Sequence, residues 1–372
     1  MAFQLSAFVR TTLPFDIARP PSLDDGRYHS LFFPDHFVSF WADALWTPEF
    51  TDLATVSPSP HRYLETMSVI GAAAALTQRT RLVTMVTDTA RRHPALLAQT
   101  AVTLGHLSRG RFILGIGCGE RENAVPYGIP FDRPVGRFEE ALKVMRLLWE
   151  TDGPVSFEGR FFRLDHARLD TEPYGGELPK IWVGAGGPRM LELTGRWGDG
   201  WVPPGTTTPE DYARCLAILR ASAERAGRDP AKITPAGLTT CLIGEPEEID
   251  EMLRAPLVRS YVLQMPASVV RLHGYAHPCG ENWGGYIDMD PHGLTRERIH
   301  QLLDATPVGL IRKLIISGTP KEVARRLKGF VDAGMQIGCL LDYSALAGLK
   351  FAAASPAKQR ETEDELLRLV GS

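Results

Sequence analysis

The sequence predicts an α/β fold, a (β/α)8 barrel in which eight parallel strands alternate with helices. Eight short apolar segments with strand character alternate with helical segments along the 372 residues. Two of the apolar segments end in ionisable residues, Asp35-His36 and Glu120. In barrels of this kind the carboxyl ends of the strands carry the chemistry. We therefore expect these ionisable residues to meet at one mouth of the barrel.

The expected strands follow one another along the whole chain. They are residues 3–9, 30–34, 81–87, 111–117, 180–185, 200–203, 234–243 and 337–342. Most are runs of aliphatic and aromatic residues bounded by Gly, Pro or charged residues, a pattern typical of buried strands. Eight such strands favour a closed barrel over an open sheet.

Helical segments lie between these strands, at residues 62–77, 94–108, 134–150, 188–197, 209–226 and 321–333. Several begin at Pro or at a Ser, Thr or Asp and end near Gly, the usual start and stop signals. We also expect a hairpin at 155–164, a last helix at 356–370 and an insertion at about 245–317 that lies over the catalytic face. Residues 1–372 are expected to form one barrel domain.

Composition excludes several classes of function. With 44% hydrophobic and 23% charged residues the chain can bury a large core, and its net charge of −3 argues against nucleic acid as a partner. The sequence contains no membrane span and no signal peptide, so a cytoplasmic location is expected. The five cysteines lack metal-ligand or disulfide spacing, so no metal site is predicted.

Asp35 and His36 follow the second expected strand. A histidine at such a place can donate or accept a proton near neutral pH, and the carboxylate before it can hydrogen-bond a cofactor hydroxyl or amide. The alternative is that both side chains only cap the next segment.

The fourth expected strand ends in Gly115-Ile-Gly-Cys-Gly-Glu120. This string is not a dinucleotide fingerprint, because Glu120 stands where the third glycine is required. Alternate glycines can clear one face of a strand, so that a flat ring lies against the backbone and Glu120 meets its edge. The alternative is a bulged strand that ends in a solvated carboxylate.

Two further segments are candidates for ligand binding. The glycines of residues 184–188 precede a helix, where backbone amides favour a phosphate, although a plain turn has the same pattern. In residues 84–94, Thr87 can hydrogen-bond a ring heteroatom. The basic side chains Arg91, Arg92 and His93 that follow it can serve an anionic group, and we expect them to solvate the rim.

Together these strings resemble one family, the bacterial luciferase-like flavin and deazaflavin oxidoreductases, and within it the branch that uses coenzyme F420. The matching strings are Pro-Asp-His at 34–36, residues 84–94, Leu-Gly-Ile-Gly-Cys-Gly-Glu at 114–120, and residues 184–201. The resemblance covers nearly the whole chain. It is greater for the ketoreductases of that branch than for its sugar-phosphate dehydrogenases.

The resemblance implies a mouth that holds the deazaflavin, with His36 and Glu120 as proton-transfer groups beside its reactive carbon. It also implies a non-prolyl cis peptide at Thr84–Met85 and a homodimer. The residues that match cofactor contacts in the family are Asp35, Thr84, Met85, Thr87, Cys118, Gly119, Asn123, Ala185, Gly186 and Gly187.

The substrate is expected to be an apolar alcohol or ketone, lipids included. The sugar-phosphate relatives carry a phosphate-binding lysine, but this chain has no Lys between Lys180 and Lys232. Aromatic residues on the expected mouth loops suit an apolar molecule, although several can equally be core or dimer contacts. They are Phe40, Trp41, Trp46, Tyr127 and Trp283.

We predict an F420-dependent alcohol dehydrogenase or ketone reductase. One alternative is an FMN-dependent monooxygenase of the same fold, which has no fixed need for proton-transfer groups at His36 and Glu120. The other is a barrel without catalytic activity that serves as a binding or assembly subunit and is free to lose that pair.

Overall fold

A computed structural model describes residues 2–204 and 208–371 of the chain. Its central element is a barrel of eight strands: β1 (Gln4–Phe8), β2 (Tyr28–Phe33), β3 (Arg81–Thr84), β4 (Phe112–Gly117), β5 (Lys180–Gly184), β6 (Gly200–Val202), β7 (Thr234–Ile243) and β8 (Ile337–Asp342). Each strand pairs in parallel with the next, and β8 pairs with β1. The predicted (β/α)8 barrel is confirmed, and each predicted strand is present with small differences at its ends.

β7 closes the barrel because it is long enough to contact three neighbours. Its first residues pair with β6, residues 236–241 pair with β8, and its carboxyl end pairs with a short strand at Ile316–Gly318. The described residues form three further short strands: Thr87–Asp88 pairs with β4, and Val155–Glu158 and Arg163–Ala167 form the predicted hairpin.

The helices alternate with the strands. They are Arg19–Ser22, Thr66–Leu76, Pro94–Leu107, Pro134–Glu150, Pro188–Trp197, Pro209–Arg225, Pro246–Met252, Pro256–Arg259, Ala267–Leu272, Arg296–Asp304, Val308–Leu314, Pro320–Asp332 and Leu349–Gly371. Within the described residues, none of them is long and apolar enough to cross a membrane.

Two helices begin at places that the sequence did not predict. The helix expected from residue 62 begins at Thr66, because the Glu65 carboxylate accepts a hydrogen bond from the Ser68 N–H and caps the first turn. The last helix begins at Leu349, seven residues before the proline that was expected to start it. Its first turn contains the buried Phe351, and Pro356 lies inside the helix.

Side chains alternate between two buried layers along each barrel strand. Phe32, Val83, Ile113 and Trp182 point into the barrel and form one cluster. Their neighbours in sequence, such as Leu31, Leu82, Leu114 and Ile181, pack in a larger cluster with helical residues. Because both faces are buried, these strands appear in the sequence as continuous apolar runs.

The segment of residues 245–317 contacts the loop that follows β2. The Tyr286 ring lies 4.7 Å from the Phe40 ring, and His292 Nδ1 lies 2.8 Å from Asp43 Oδ2. Whether this segment covers the catalytic face, and whether the chain forms a single domain, stay predictions.

Candidate active site

β2 and β4 bring together the two ionisable residues that the sequence placed at the mouth. Each strand ends three residues before its ionisable residue, at Phe33 and Gly117. His36 Nδ1 lies 3.0 Å from Glu120 Oε2, and the two side chains are 8% and 26% exposed. The imidazole is therefore almost covered, while the carboxylate is partly open to solvent.

Asn123 connects the loop after β2 to the turn after β4. Its Oδ1 accepts hydrogen bonds from the backbone N–H groups of Phe37 (2.6 Å) and Val38 (3.2 Å). Its Nδ2 lies 3.2 Å from His36 Nδ1 and 3.1 Å from Glu120 Oε2. The sequence predicted a cofactor contact for Asn123, but the hydrogen bonds within the chain use both of its polar atoms.

Glu122 is a site residue that the sequence did not predict. It lies in the short turn Arg121–Asn123 and is fully buried, and its Oε1 accepts a hydrogen bond from Asn123 Nδ2 at 3.2 Å. Burial, together with the neighbouring Glu120 carboxylate, raises the pKa of Glu122 well above its ordinary range. The only signal in the sequence was a second Glu two residues after Glu120, which is common on exposed turns.

Aromatic rings surround the His36 imidazole. The Phe40 and Tyr63 rings lie 4.9 and 5.3 Å from it, and Tyr286 packs against Phe40. Of the predicted pocket residues, Phe40 is thus the one in ring contact with His36. Tyr127 is 48% exposed and packs 4.5 Å from Phe37 at the surface.

The three predicted pocket tryptophans pack within the protein. Trp41 is buried against Tyr343, the Trp46 indole donates a hydrogen bond to Ser57 O, and the Trp283 indole donates to Leu263 O. An indole N–H that is buried needs such a partner, and each of these bonds fixes a loop. That Trp46 and Trp283 also line the pocket stays a prediction.

Asp35 lies in a buried cluster of ion pairs. Its Oδ2 lies 3.0 Å from Arg91 Nη2 and 2.5 Å from Arg92 Nη1. Arg91 also pairs with Asp88, and Arg92 pairs with Glu65. The prediction that these arginines solvate the rim is wrong, because their side chains are only 4% and 14% exposed and are neutralised by carboxylates.

Thr87, which was predicted to contact the cofactor, also takes part in this cluster. Thr87 Oγ1 accepts a hydrogen bond from Arg92 Nη1 at 3.0 Å. Although burial raises the pKa of Asp35, the Arg91 and Arg92 guanidiniums have the greater combined effect and hold it below its ordinary value. Asp35 is therefore an ionised structural anchor beside His36.

The glycines of β4 make room for the neighbouring strand. A Cβ at Gly115 would lie 1.8 Å from Thr84 O, and one at Gly117 would lie 3.1 Å from a Val86 methyl group. Thr84 Oγ1 also bridges the N–H and carbonyl of Gly115 at 2.8 and 2.7 Å. The prediction that these glycines clear a face for a flat ring is wrong at Gly115, where the backbone of the next strand fills the space.

The non-prolyl cis peptide lies at Met85–Val86, one bond later than the predicted Thr84–Met85. The Met85 N–H still donates to Phe33 O at 2.7 Å, so regular pairing with β2 continues through Met85. The change of backbone direction therefore falls after Met85.

The remaining predicted cofactor contacts lie on loops after β4 and β5. Burial raises the pKa of the Cys118 thiol to about 11, so it is protonated at neutral pH, and Gly119 has a positive φ of 93°. Ala185 O accepts a hydrogen bond from the Trp201 indole at 2.8 Å. Gly187 precedes the first residue of the helix Pro188–Trp197, and a Cβ there would meet nothing within 4 Å.

The described residues at this mouth do not suit a metal ion. Ligand atoms of His36, Glu120 and Glu122 lie within 4.8 Å of one another, but Asn123 Nδ2 already lies within hydrogen-bonding distance of all three. Seven buried side-chain nitrogen and oxygen atoms have no hydrogen-bond partner among the described residues, and Glu122 Oε2, beside His36 and Glu120, is one of them.

Replacing Asp35 by Asn should destabilise the fold. The change leaves two buried guanidiniums short of a carboxylate, so we expect the free energy of unfolding to fall by about 3 kcal/mol in urea titrations at pH 7. Because the pKa of Asp35 is lowered in the folded state, its contribution is present above the ordinary carboxyl pKa and lost as pH falls through the lower folded value. The exposed Asp165→Asn is the control, and equal effects of the two substitutions would contradict this account.

Replacing Gly115 by Ala should also destabilise the fold. The new methyl group would collide with Thr84 O, so we expect a loss of about 2–3 kcal/mol in the free energy of unfolding. Gly105 is the matched control, because it lies in the helix Pro94–Leu107 and its Cβ would meet nothing within 4 Å. Gly105→Ala should be neutral or stabilising, and a Gly115→Ala protein of unchanged stability would show that β3 can move away.

Comparison with known proteins identifies relatives across most of the chain. The model of the family described as luciferase-like monooxygenase matches residues 39–336. A phthiodiolone/phenolphthiodiolone dimycocerosates ketoreductase of Mycobacterium tuberculosis (strain ATCC 25618 / H37Rv) is 38% identical over 314 residues, which are 83% of this chain and 82% of that protein. An F420-dependent glucose-6-phosphate dehydrogenase of Nakamurella multipartita is 38% identical over 164 residues, 43% of this chain and 48% of the relative.

Solved structures share the fold over the full length. An F420-dependent secondary alcohol dehydrogenase in complex with an F420-acetone adduct has a TM-score of 0.71 at 23% identity and covers 100% of this chain and 98% of its own. A long-chain alkane monooxygenase has a TM-score of 0.62 at 17% identity, with 99% and 96% covered. The resemblance inferred from the motifs is confirmed, and this chain is an oxidoreductase that belongs to the luciferase-like monooxygenase family.

Proposed function

We propose that this protein is a coenzyme F420-dependent oxidoreductase that moves a hydride between the deazaflavin and an apolar alcohol or the corresponding ketone. The observation that carries the proposal is the contact of 3.0 Å between His36 Nδ1 and Glu120 Oε2 in an aromatic surrounding. The ketoreductase relative of Mycobacterium tuberculosis, whose name describes a lipid ketone as substrate, supports the reaction class.

The hydrogen bonds of Asn123 support one assignment of the proton on His36. Backbone N–H groups donate to Oδ1, so the amide cannot be reversed, and its two Nδ2 hydrogens suffice for the Glu120 and Glu122 carboxyl groups. His36 Nδ1 then carries its own hydrogen, directed at Glu120. This tautomer leaves Nε2 as a proton acceptor.

His36 thereby has the properties that the reaction requires. Bound F420 supplies the carbon that gives or takes the hydride, and the substrate oxygen must lose a proton on oxidation or gain one on reduction. His36 Nε2 takes the proton from an alcohol, and the adjacent Glu120 carboxylate stabilises the resulting imidazolium. For ketone reduction the same proton returns to the oxygen.

The cofactor would be held by the loops that the sequence assigned to it. The predicted contacts that remain available to bind the cofactor are the backbone and side chains of Met85, Cys118, Gly119, Ala185, Gly186 and Gly187. Asp35, Thr84, Thr87 and Asn123 already make hydrogen bonds or ion pairs within the chain, so we assign them to positioning these loops. The basic residues of the mouth loop, Arg91 and Arg92, are paired with carboxylates, which favours an uncharged substrate.

Cofactor titrations test the proposal first. The purified protein is titrated separately with F420 and with FMN while cofactor fluorescence is recorded, and we expect quenching of F420. Tight binding of FMN without binding of F420 would support a luciferase-like monooxygenase instead. F420 reduction is then assayed with a panel of apolar secondary alcohols and their ketones.

Replacing His36 by Ala, or Glu120 by Gln, should lower kcat by about 10²–10⁴ while F420 still binds, because the proton transfer loses its acceptor or the partner of that acceptor. The matched controls are His300→Ala and Glu49→Gln, an exposed histidine and glutamate elsewhere on the surface, which should leave kcat unchanged. Unchanged turnover in both mouth variants would remove the proton-transfer assignment.

A further inference from the structure

Glu122 contacts the catalytic pair that we propose but has no part in the proton transfer described above. Its side chain is fully buried, and its carboxyl oxygen lies within 4.8 Å of ligand atoms on both Glu120 and His36. A second carboxylate this close would repel Glu120 and compete for the proton on His36. The protonation state of Glu122 therefore bears directly on the site.

The hydrogen-bond count indicates that Glu122 carries a proton. Asn123 Nδ2 donates to Oε1, whereas Oε2 is buried and receives no hydrogen bond from any described residue. Burying an ionised carboxylate oxygen that receives no hydrogen bond costs free energy. An oxygen that bears its own hydrogen needs an acceptor instead, and the neighbouring Glu120 carboxylate can be that acceptor.

The other groups that face Glu122 do not neutralise a negative charge there. Burial and the charge on Glu120 raise the pKa of Glu122, and the charge on Arg91 has a smaller, opposite effect; Arg91 itself pairs with Asp35 and Asp88. The titratable and charged groups around Glu122 are Glu120, His36, Arg91, Tyr63 and Tyr286.

We propose that Glu122 is a positioning residue that stays protonated throughout turnover and donates from Oε2 to Glu120. Glu120 is then the single charged carboxylate of the site, and it accepts hydrogen bonds from Glu122, Asn123 and His36 Nδ1. This arrangement holds the His36 tautomer that leaves Nε2 free. The effect on turnover depends on the proposed function, whereas the protonation of Glu122 does not.

Infrared spectroscopy of the protein without cofactor tests the protonation directly. At pH 7 the unmodified protein should show a C=O stretch of a protonated carboxyl group that shifts in D2O and is missing from Glu122→Gln. Glu49→Gln, at an exposed carboxylate, should leave that band in place. Identical spectra for the unmodified protein and Glu122→Gln in this region would overturn the proposal.

Stability against pH gives a second measurement without cofactor. A glutamate that is ionised in the unfolded state but protonated in the folded state makes the fold less stable as pH rises above its ordinary pKa. Gln is neutral in both states, so the Tm of Glu122→Gln relative to the unmodified protein should increase from pH 5 to pH 9. A constant difference would contradict a buried neutral acid.

Two substitutions separate positioning from proton transfer. Gln keeps a neutral donor, so Glu122→Gln should retain kcat and the pH profile. Leu has similar bulk and no donor, so Glu122→Leu should lower kcat roughly tenfold to a hundredfold, the effect of losing a hydrogen bond to a charged group. Equal losses of kcat in the two variants would mean that Glu122 transfers its proton. An unchanged kcat in Glu122→Leu would mean that Glu122 has no part in turnover. If the unmodified protein fails to use F420, the proposed function falls while the infrared result still decides this inference.

Discussion

The geometry of the proposed catalytic pair depends on the amide of Asn123. β2 and β4 are separated by β3, so strand pairing alone brings their carboxyl ends near each other without fixing the loops that follow. The Asn123 carbonyl holds the loop after β2 through two backbone N–H groups, and its NH2 group holds the carboxyl groups after β4. One buried side chain thus sets both the distance from His36 to Glu120 and the direction in which the histidine presents its free nitrogen.

A second constraint is the pairing of buried charges next to His36 and Glu120. Asp35 precedes His36, and its carboxylate is neutralised by Arg91 and Arg92, which themselves pair with Asp88 and Glu65. Such a buried cluster contributes little net stability as a whole, but removal of one member leaves the others uncompensated. The arginines are therefore part of the scaffold that positions His36, and they are poorly placed to bind the phosphate of a substrate.

The sequence was sufficient for the fold because barrel strands are buried on both faces and appear as apolar runs that end near Gly, Pro or charged residues. It also located His36 and Glu120, since the carboxyl ends of such strands converge. It could not assign the partners of polar side chains. In the sequence, Arg91 and Arg92 have the pattern of solvated charges, and only the structure shows the carboxylates that pair with them. The backbone carbonyls that accept hydrogen bonds from the Trp46 and Trp283 indoles belong to residues elsewhere in the chain. Glu122 was missed because burial on a three-residue turn depends on the surrounding loops.

Together, the two constraints support the uncharged substrate of the proposed function. Arg91 and Arg92 are paired with carboxylates, and the proposed protonation of Glu122 would leave Glu120 as the single negative charge beside the imidazole of His36. In the proposed reaction, His36 takes a proton from an alcohol, and the net charge of the His36–Glu120 pair changes from −1 to zero without a counter-ion from the substrate. An anionic substrate would add a negative charge next to Glu120, and the nearby Arg91 and Arg92 guanidiniums are already paired with carboxylates. An alcohol or ketone with apolar substituents needs only the aromatic rings around His36 and one hydrogen bond to its oxygen.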